Sequence, residues 1–182
     1  VGYYLNNYKF IPCYWKDGKL IHLESPGVEG YVGTSIEVFG GSVFVAGYQF
    51  SGSIYRSPCY WVDGVRTDID VEPEVTDSHF YSDCISNGIM YMTGGFTYNN
   101  NGDKKTVPCY WIDDVRTDFV IPAGEKGSCY GRSIFASENS IYVSGDCRAR
   151  KIVACYWVNG TRTVLDVPEE ASHSLGDFIT VK

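Results

Sequence analysis

Six side chains are the candidates for chemistry in this sequence. They are Tyr31, His79, Asp83, Cys129, His173 and Asp177. Both histidines precede an aspartate by four residues, and when the chain is aligned with itself the tyrosine and the cysteine fall at the histidine position. Imidazole, thiolate and phenol groups can ligate a transition metal or hold a polar ligand. The alternative is that these are exposed loop residues, since no paired nucleophile and base, phosphate loop or activated serine accompanies them. We interpret the six as a ligand-binding set and assign no catalytic residue, metal or cofactor.

Four of the seven cysteines lie in a recurring Cys-Tyr-Trp motif. They are Cys13, Cys59, Cys109 and Cys155, spaced by 46, 50 and 46 residues. Corresponding positions in neighbouring repeats should lie farther apart than the roughly 4.4 to 6.8 Å between bridged Cα atoms, so we expect reduced thiols that act as small apolar side chains. The spacing of Cys84, Cys129 and Cys147 does not match a paired Cys-x-x-Cys zinc pattern.

The Cys-Tyr-Trp motif is part of a segment that occurs four times. The copies cover residues 12–18, 58–64, 108–114 and 154–160. Their period matches the roughly 40 to 50 residues of a four-stranded propeller blade. β-branched and aromatic runs that end in glycine precede the later copies, and Asp-Gly or Asn-Gly follows three of the motifs and predicts type I′ hairpins, with Asp113-Asp114 as the exception. No segment has a helical apolar period, so the sequence predicts an all-β fold in which the four tryptophans are buried.

The Tyr-Trp-x-Asn/Asp-Gly signature resembles that of uncharacterised bacterial β-propeller proteins. The resemblance covers the whole chain and implies one domain, residues 1–182, that forms a β-propeller of four four-stranded blades. The predicted blades are residues 1–26 plus 172–182, 27–71, 72–121 and 122–167. The resemblance implies no particular activity, because propellers support many functions.

The two ends of the chain are expected to share the first blade. That blade lacks its innermost strand, and residues 172–179 align without gaps to residues 78–85. We therefore predict that residues 177–181 pair with residues 1–5. A closed four-bladed ring and an eight-bladed dimer with exchanged strands both satisfy this pairing, and we favour the closed ring because exchange is less frequent. In either ring the six candidate residues would surround one mouth of the central channel.

Composition limits the partners of this chain. A net charge of -7 and a pI near 4.9 argue against nucleic-acid binding, which requires clustered Lys and Arg. No apolar run approaches the roughly 20 residues that span a bilayer. Because the first residue is Val1 rather than Met, removal of a leader is compatible with the sequence, and an exported or cell-surface location stays open.

Three functions follow from this organisation. The leading hypothesis is a non-enzymatic binding or scaffold module that recognises a protein or glycan partner through its blade loops. One alternative is a hydrolase or lyase that uses His79, Asp83, His173 and Asp177 for acid–base chemistry, and another is a structural segment of a longer repeat protein. A deep axial pocket with converging carboxylates would favour catalysis, whereas a flat aromatic-rich face would favour binding.

Overall fold

The described chain consists of antiparallel β-strands, in agreement with the all-β prediction. The computed structural model describes residues 1–27, 30–51, 55–100, 102–121, 127–148 and 151–181. Sheet 1 contains β1 (Gly2–Asn6), β2 (Lys9–Lys16) and β3 (Lys19–His22). Sheet 2 contains β4 (Tyr31–Phe39), β5 (Ser42–Ser51), β6 (Tyr55–Val62) and β7 (Val65–Asp68). Sheet 3 contains β8 (Val75–Ser86), β9 (Ile89–Asn100), β10 (Asp103–Ile112) and β11 (Val115–Asp118). Sheet 4 contains β12 (Ser128–Ala136), β13 (Ile141–Arg148), β14 (Ile152–Val158) and β15 (Thr161–Val164).

The sheets pack in chain order and form an open series. Each strand pairs with the next strand in its own sheet, and β4, β8 and β12 begin sheets 2, 3 and 4 by packing on the preceding sheet. No contact of similar extent joins sheet 1 to sheet 4 among the described residues. That part of the chain also contains no helix long and apolar enough to cross a membrane.

The predicted pairing of the two chain ends is wrong for the single chain. Residues 177–181 do not form a strand, and in the part of the chain that the structure describes sheet 1 has three strands instead of four. The C-terminal segment packs on sheet 4 instead, where the amide of Ser174 donates to the Ile152 carbonyl at 2.8 Å and the amide of Ala154 donates to the Ser174 hydroxyl at 2.8 Å. The sheets are therefore not closed into a ring.

The hairpins after the Cys-Tyr-Trp motifs have the predicted positive φ angles. Both central residues of each turn are in the left-handed region: Asp17 and Gly18, Asp63 and Gly64, Asp113 and Asp114, Asn159 and Gly160. Asp114, with φ at 67°, adopts this conformation without glycine. The exceptional sequence thus forms the same tight turn, which aspartate tolerates better than most residues.

Each contact between neighbouring sheets contains a buried tryptophan. Trp61, Trp111 and Trp157 are at most 1% exposed. Each belongs to an apolar cluster with a residue that follows the last strand of the preceding sheet, respectively Leu23, Ile69 and Phe119. Large buried aromatic side chains of this kind dominate the energetics of packing.

The prediction that all four motif tryptophans are buried is wrong for Trp15. Its side chain is 52% exposed. The physical reason is its position, because sheet 1 has no sheet packed before it in the described structure. The ring of Trp15 lies against Gly2 of the adjacent strand, as the rings of Trp61 and Trp157 lie against Gly47 and Gly145.

Candidate functional site

The structure does not place Tyr31, His79 and Cys129 at corresponding positions. The glycine of the next strand serves as the reference point in each sheet. Tyr31 and Cys129 each pair with the residue two positions after that glycine, whereas His79 pairs with the residue one position after it. Ser78 is therefore the counterpart of Tyr31 and Cys129 in sheet 3. The correct alignment could have been found in the sequence, because Ser35, Ser82 and Ser133 each precede the glycine of the next strand by the same number of residues. Alignment on Asp83 instead of Ser82 shifts the register by one residue.

Tyr31 and Cys129 each have a structural partner within the chain. Tyr31 is buried, and its hydroxyl donates to the Pro26 carbonyl and accepts a hydrogen bond from the Arg66 guanidinium. Cys129 forms a disulfide with Cys147 on the adjacent strand. This bridge was not predicted, since the two cysteines are brought together only by strand pairing. The four motif cysteines are reduced, as expected.

His173 and Asp177 lie in the exposed C-terminal segment. His173 forms an isolated parallel bridge with Ile152, and its Nδ1 is 3.0 Å from the Ser172 hydroxyl. Asp177 is largely exposed and stands 4.0 Å from Nε of Arg132. Neither residue is held in an enclosed site.

His79 is enclosed and neutral. It is 2% exposed, neither ring nitrogen has a hydrogen-bond partner among the described residues, and its ring packs against Tyr81 at 4.3 Å and Tyr48 at 5.7 Å. Burial, with a smaller contribution from Arg56, lowers the pKa of His79 to about 3. The imidazole is therefore an uncharged packing group at neutral pH, and solvent does not reach it.

Asp83 is buried among different neighbours. It is 3% exposed, and neither carboxylate oxygen has a hydrogen-bond partner among the described residues. Burial, with a smaller contribution from nearby Glu37, raises the pKa of Asp83 to about 7. The corresponding residues of sheets 2 and 4 are Ile36 and Ile134, which shows that this position belongs to an apolar contact between sheets. Among the described residues no group of three or more His, Cys, Asp or Glu side chains is arranged to hold a metal.

A second set of side chains, which shares only His79 with the predicted set, forms a continuous series of contacts across all four sheets. We call it the aromatic–arginine band, and it consists of Tyr3, Phe10, Tyr48, Phe50, His79, Tyr81, Tyr130, Arg132 and Arg148. Most of its members are half-buried. Sequence analysis missed the band because its members share no motif and come from separate repeats.

The first half of the band joins sheets 1, 2 and 3 through aromatic rings. Tyr3 contacts Phe10 at a centroid separation of 4.9 Å, and Phe10 contacts Phe50 at 5.1 Å. Phe50 then contacts Tyr48 at 5.4 Å, and Tyr48 contacts the buried His79. Edge and tilted ring contacts of this kind each stabilise by about 0.5 to 1.5 kcal/mol beyond their buried area.

The second half of the band joins sheets 3 and 4 through guanidinium groups over aromatic rings. Arg132 lies 5.1 Å from the ring of Tyr81 and 5.7 Å from that of Tyr130, and Arg148 lies 4.8 Å from Tyr130. Asp146, which is fully buried, accepts hydrogen bonds from Nε of Arg132 at 2.6 Å and Nε of Arg148 at 2.9 Å. One carboxylate thus orients two guanidinium groups over tyrosine faces.

β-Bulges place part of the band on this surface. β4, β8 and β12 each contain a bulge at the same point, and the extra residues are Thr34, Tyr81 and Arg132. A bulge leaves one residue out of the strand pairing and changes the direction of its side chain. The residue at this bulge differs in type from sheet to sheet. Burial also raises the pKa of Tyr48 and Tyr81, so both phenols remain protonated donors at neutral pH.

A shallow groove adjoins the band between sheets 2 and 3. It has a volume of about 270 Å³ and is lined by Tyr55, Arg56, Ser57, Val71, Val75 and Thr76. Arg56 connects it to the band, because its guanidinium lies 5.6 Å from the Tyr48 ring and forms an ion pair with Asp77. The volume is below the roughly 300 to 1,000 Å³ of typical small-molecule pockets.

Comparison with protein-family models and with curated proteins finds no match for this chain.

Proposed function

We propose that this chain is a non-enzymatic binding module that recognises a protein partner through the aromatic–arginine band. The observation that carries the proposal is the continuity of the band across four sheets. Tyrosine and arginine are enriched among the residues that dominate binding energy at protein interfaces. Rings that already pack on one another lose little conformational freedom when a partner binds, which lowers the cost of association.

The charge distribution favours a partner with a carboxylate beside an apolar side chain. Arg132 and Arg148 share the Asp146 carboxylate, and Asp177 stands 4.0 Å from Arg132, so the charge of Arg148 is the less compensated of the two. Arg148 is 44% exposed at its side chain and is the more accessible of the two guanidinium groups. It could form a second, bidentate pair with an incoming carboxylate while Tyr130 covers an apolar neighbour.

The shape of the surface also supports recognition of a macromolecule, because the groove beside the band is small. The groove beside Arg56 is small, and His79 is buried and neutral. A protein surface needs no enclosed pocket, whereas most small-molecule sites are concave and larger. The band lies on strands and bulges, so we assign recognition to them rather than to the blade loops.

We further propose that the four sheets are blades of a β-propeller of the bacterial type that the Tyr-Trp-x-Asn/Asp-Gly signature resembles. Three observations support this. The strands of each sheet follow one another in order, the Cys-Tyr-Trp motifs lie on corresponding strands, and a tryptophan from that motif fills each contact between neighbouring sheets. Radial repetition of four-stranded sheets is the defining arrangement of propellers.

The binding proposal is tested by selecting ligands for the immobilised full chain from a random peptide display library and from a glycan array. Selected peptides are expected to contain acidic and apolar residues. We expect Arg148→Ala to weaken their binding at least tenfold, and Tyr130→Ser to weaken it similarly.

Arg116→Ala is the matched control, because Arg116 also lies over an aromatic ring, that of Phe96 at 4.3 Å, but outside the band. Peptides that lose affinity equally with Arg116→Ala would contradict the proposal. A glycan whose binding depends on Arg148 would identify a glycan as the partner and exclude the protein ligand proposed here.

A further inference from the structure

The outer face of sheet 1 carries the same kind of apolar residues that form the contacts between the other sheets, but here they are exposed. In those contacts a tryptophan packs against an apolar residue of the preceding sheet and is buried. Trp15 occupies the corresponding place and is half-exposed, and Leu20 beside it is also exposed. Among the described residues the edge of β1 is also unpaired, although sheets 2, 3 and 4 each have a fourth strand at that edge. Unpaired apolar edges of this kind are templates for pairing with another chain.

Sheet 4 presents the complementary half of the same contact. The amide of Leu165 donates to the Ala154 carbonyl, and the amide of Leu23 makes the corresponding bond to Pro12 in sheet 1. Leu23 is 2% exposed because sheet 2 covers it, whereas Leu165 is 41% exposed. The two surfaces that meet inside the array are therefore both present and uncovered at its ends.

The C-terminal segment lies where the innermost strand of a further sheet would lie. A Cβ atom added to Gly176 would stand 2.8 Å from the Gly145 carbonyl oxygen, and the glycines of β4 and β12 lie in the same way against the preceding sheet. The amide of Ile179 donates to the Ser133 hydroxyl at 3.4 Å, which corresponds to the bonds that link β8 to β4 and β12 to β8. Among the described residues the pairing of this segment is limited to the isolated bridge between His173 and Ile152, and Phe178 is 80% exposed.

We propose that two copies of this chain associate head to tail, with sheet 4 of each copy packed on sheet 1 of the other. Leu165 of one copy covers Trp15 of the second, and residues 172–178 of the first copy pair with β1 of the second as its fourth strand. A heterologous contact of this type closes into a ring when its rotation allows, and two copies then bury both ends. The inference is independent of the ligand of the aromatic–arginine band.

A second copy of the chain can cover sheets 1 and 4, which do not cover each other within one chain. Within one chain the contacts pass from sheet 1 to sheet 4 in order and do not return, so Trp15 and Leu165 both remain in solvent. Covering these two side chains is favourable because it removes apolar surface from water. Pairing β1 also satisfies backbone groups that would otherwise depend on water.

The internal sheets fix the register of the proposed strand pair. In sheet 4, Cys129 stands opposite Cys147, two residues from a pair of facing glycines. When the C-terminal segment pairs with β1 in this register, Ser174 of one copy stands opposite Tyr4 of the other. The Cys129 and Cys147 Cα atoms are 4.0 Å apart and the side chains form a disulfide, so cysteines at positions 174 and 4 should do the same.

The test is the double variant Ser174→Cys/Tyr4→Cys in the full chain. Non-reducing electrophoresis should show a species of about twice the 20.3 kDa chain mass that disappears on reduction. The control is Ser174→Cys/Tyr3→Cys, because neighbouring strand residues point to opposite faces and this pair should not cross-link. A cross-link found only within the monomer, or none at all, would overturn the proposal.

A measurement without new cysteines uses light scattering after size-exclusion chromatography. The parent chain should be a dimer, and Trp15→Asp and Leu165→Asp should each be monomeric. Mixing those two variants should restore a dimer, because one intact Trp15–Leu165 contact re-forms between them. Val38→Asp changes an exposed residue outside both end faces and should remain dimeric. A monomeric parent chain at all concentrations would refute the inference.

Discussion

At the scale of single residues, the tryptophans of the Cys-Tyr-Trp motif differ in burial, so they should differ in their contribution to the free energy of unfolding. Trp111 is fully buried between sheets 2 and 3, whereas Trp15 is half-exposed. Trp111→Ala should reduce the free energy of unfolding by about 3 to 5 kcal/mol, the range for a large buried aromatic. Trp15→Ala should cost less than about 1 kcal/mol in dilute protein that does not associate. Urea denaturation of the two variants checks this, and equal losses would contradict the assignment of sheet 1 as an end.

His79 should make the fold sensitive to acid. The unfolded chain protonates a histidine near pH 6.5, whereas the pKa of folded His79 is about 3. Its contribution is therefore fully present above pH 6.5 and is lost as the pH falls toward 3, at up to about 1.4 kcal/mol per pH unit. His79→Val, which introduces the residue found at the corresponding Val32, should reduce that slope. Stability measured from pH 7 to 4 tests this, with exposed His173→Val as the variant that should behave like the parent.

Asp83 should have the opposite effect. An ordinary aspartate ionises near pH 3.8, whereas folded Asp83 ionises at about 7. The folded chain thus binds more protons between these values, and stability falls as the pH rises from about 4 to 7, by roughly 4 kcal/mol in all. Asp83→Asn should remove that loss and make the chain more stable than the parent at pH 8. Denaturation at pH 5 and pH 8 measures the difference, and Asp177→Asn should leave it unchanged because Asp177 is exposed.

At the scale of elements, the hairpins show how turn chemistry limits stability. The turn between β1 and β2 contains Asn7 and Tyr8, both with positive φ, and Tyr8 is fully exposed. A tyrosine in the left-handed region is strained by about 1 to 2 kcal/mol, part of which glycine recovers after its own entropy cost.

Tyr8→Gly should therefore stabilise the chain by about 1 kcal/mol. Tyr8→Ala removes the same exposed ring but keeps the backbone strain, so it should not stabilise. Thermal denaturation of the two variants separates the backbone effect from the loss of the side chain, and an equal gain in both would show that the ring rather than φ is responsible.

Local patterns predicted the elements better than the contacts between them. The Asp63-Gly64 turn and the alternation around Trp61 depend on residues a few positions apart, so they could be read directly. The alignment used Asp83 where Ser82 is the counterpart of Ser35, so it selected His79 instead of Ser78. Register errors of one residue exchange the two faces of a strand.

At the scale of the whole molecule, the series of sheets is defined by contacts distant in sequence. The band that joins Tyr48 to Arg132 could not be predicted, because no pattern links residues of separate repeats. The prediction that residues 177–181 pair with residues 1–5 is wrong for the single chain, where the C-terminal segment lies against sheet 4 instead. Sequence similarity shows that a segment can form a strand. Whether that strand can pair with β1 depends on the distance between the two ends of the series of sheets, which the sequence does not give.

The exposure of Trp15 gives the protein an intrinsic optical reporter. The other three tryptophans are buried, so in the dissociated single chain acrylamide and iodide should quench the fluorescence of Trp15 selectively, and its emission should lie at the longest wavelength of the four. Any molecule that covers sheet 1 will shift this component to the blue and protect it from quenching. Trp15→Phe removes the signal and identifies it. The state of one end of the array can thus be followed in unlabelled protein during dilution, mixing or ligand addition.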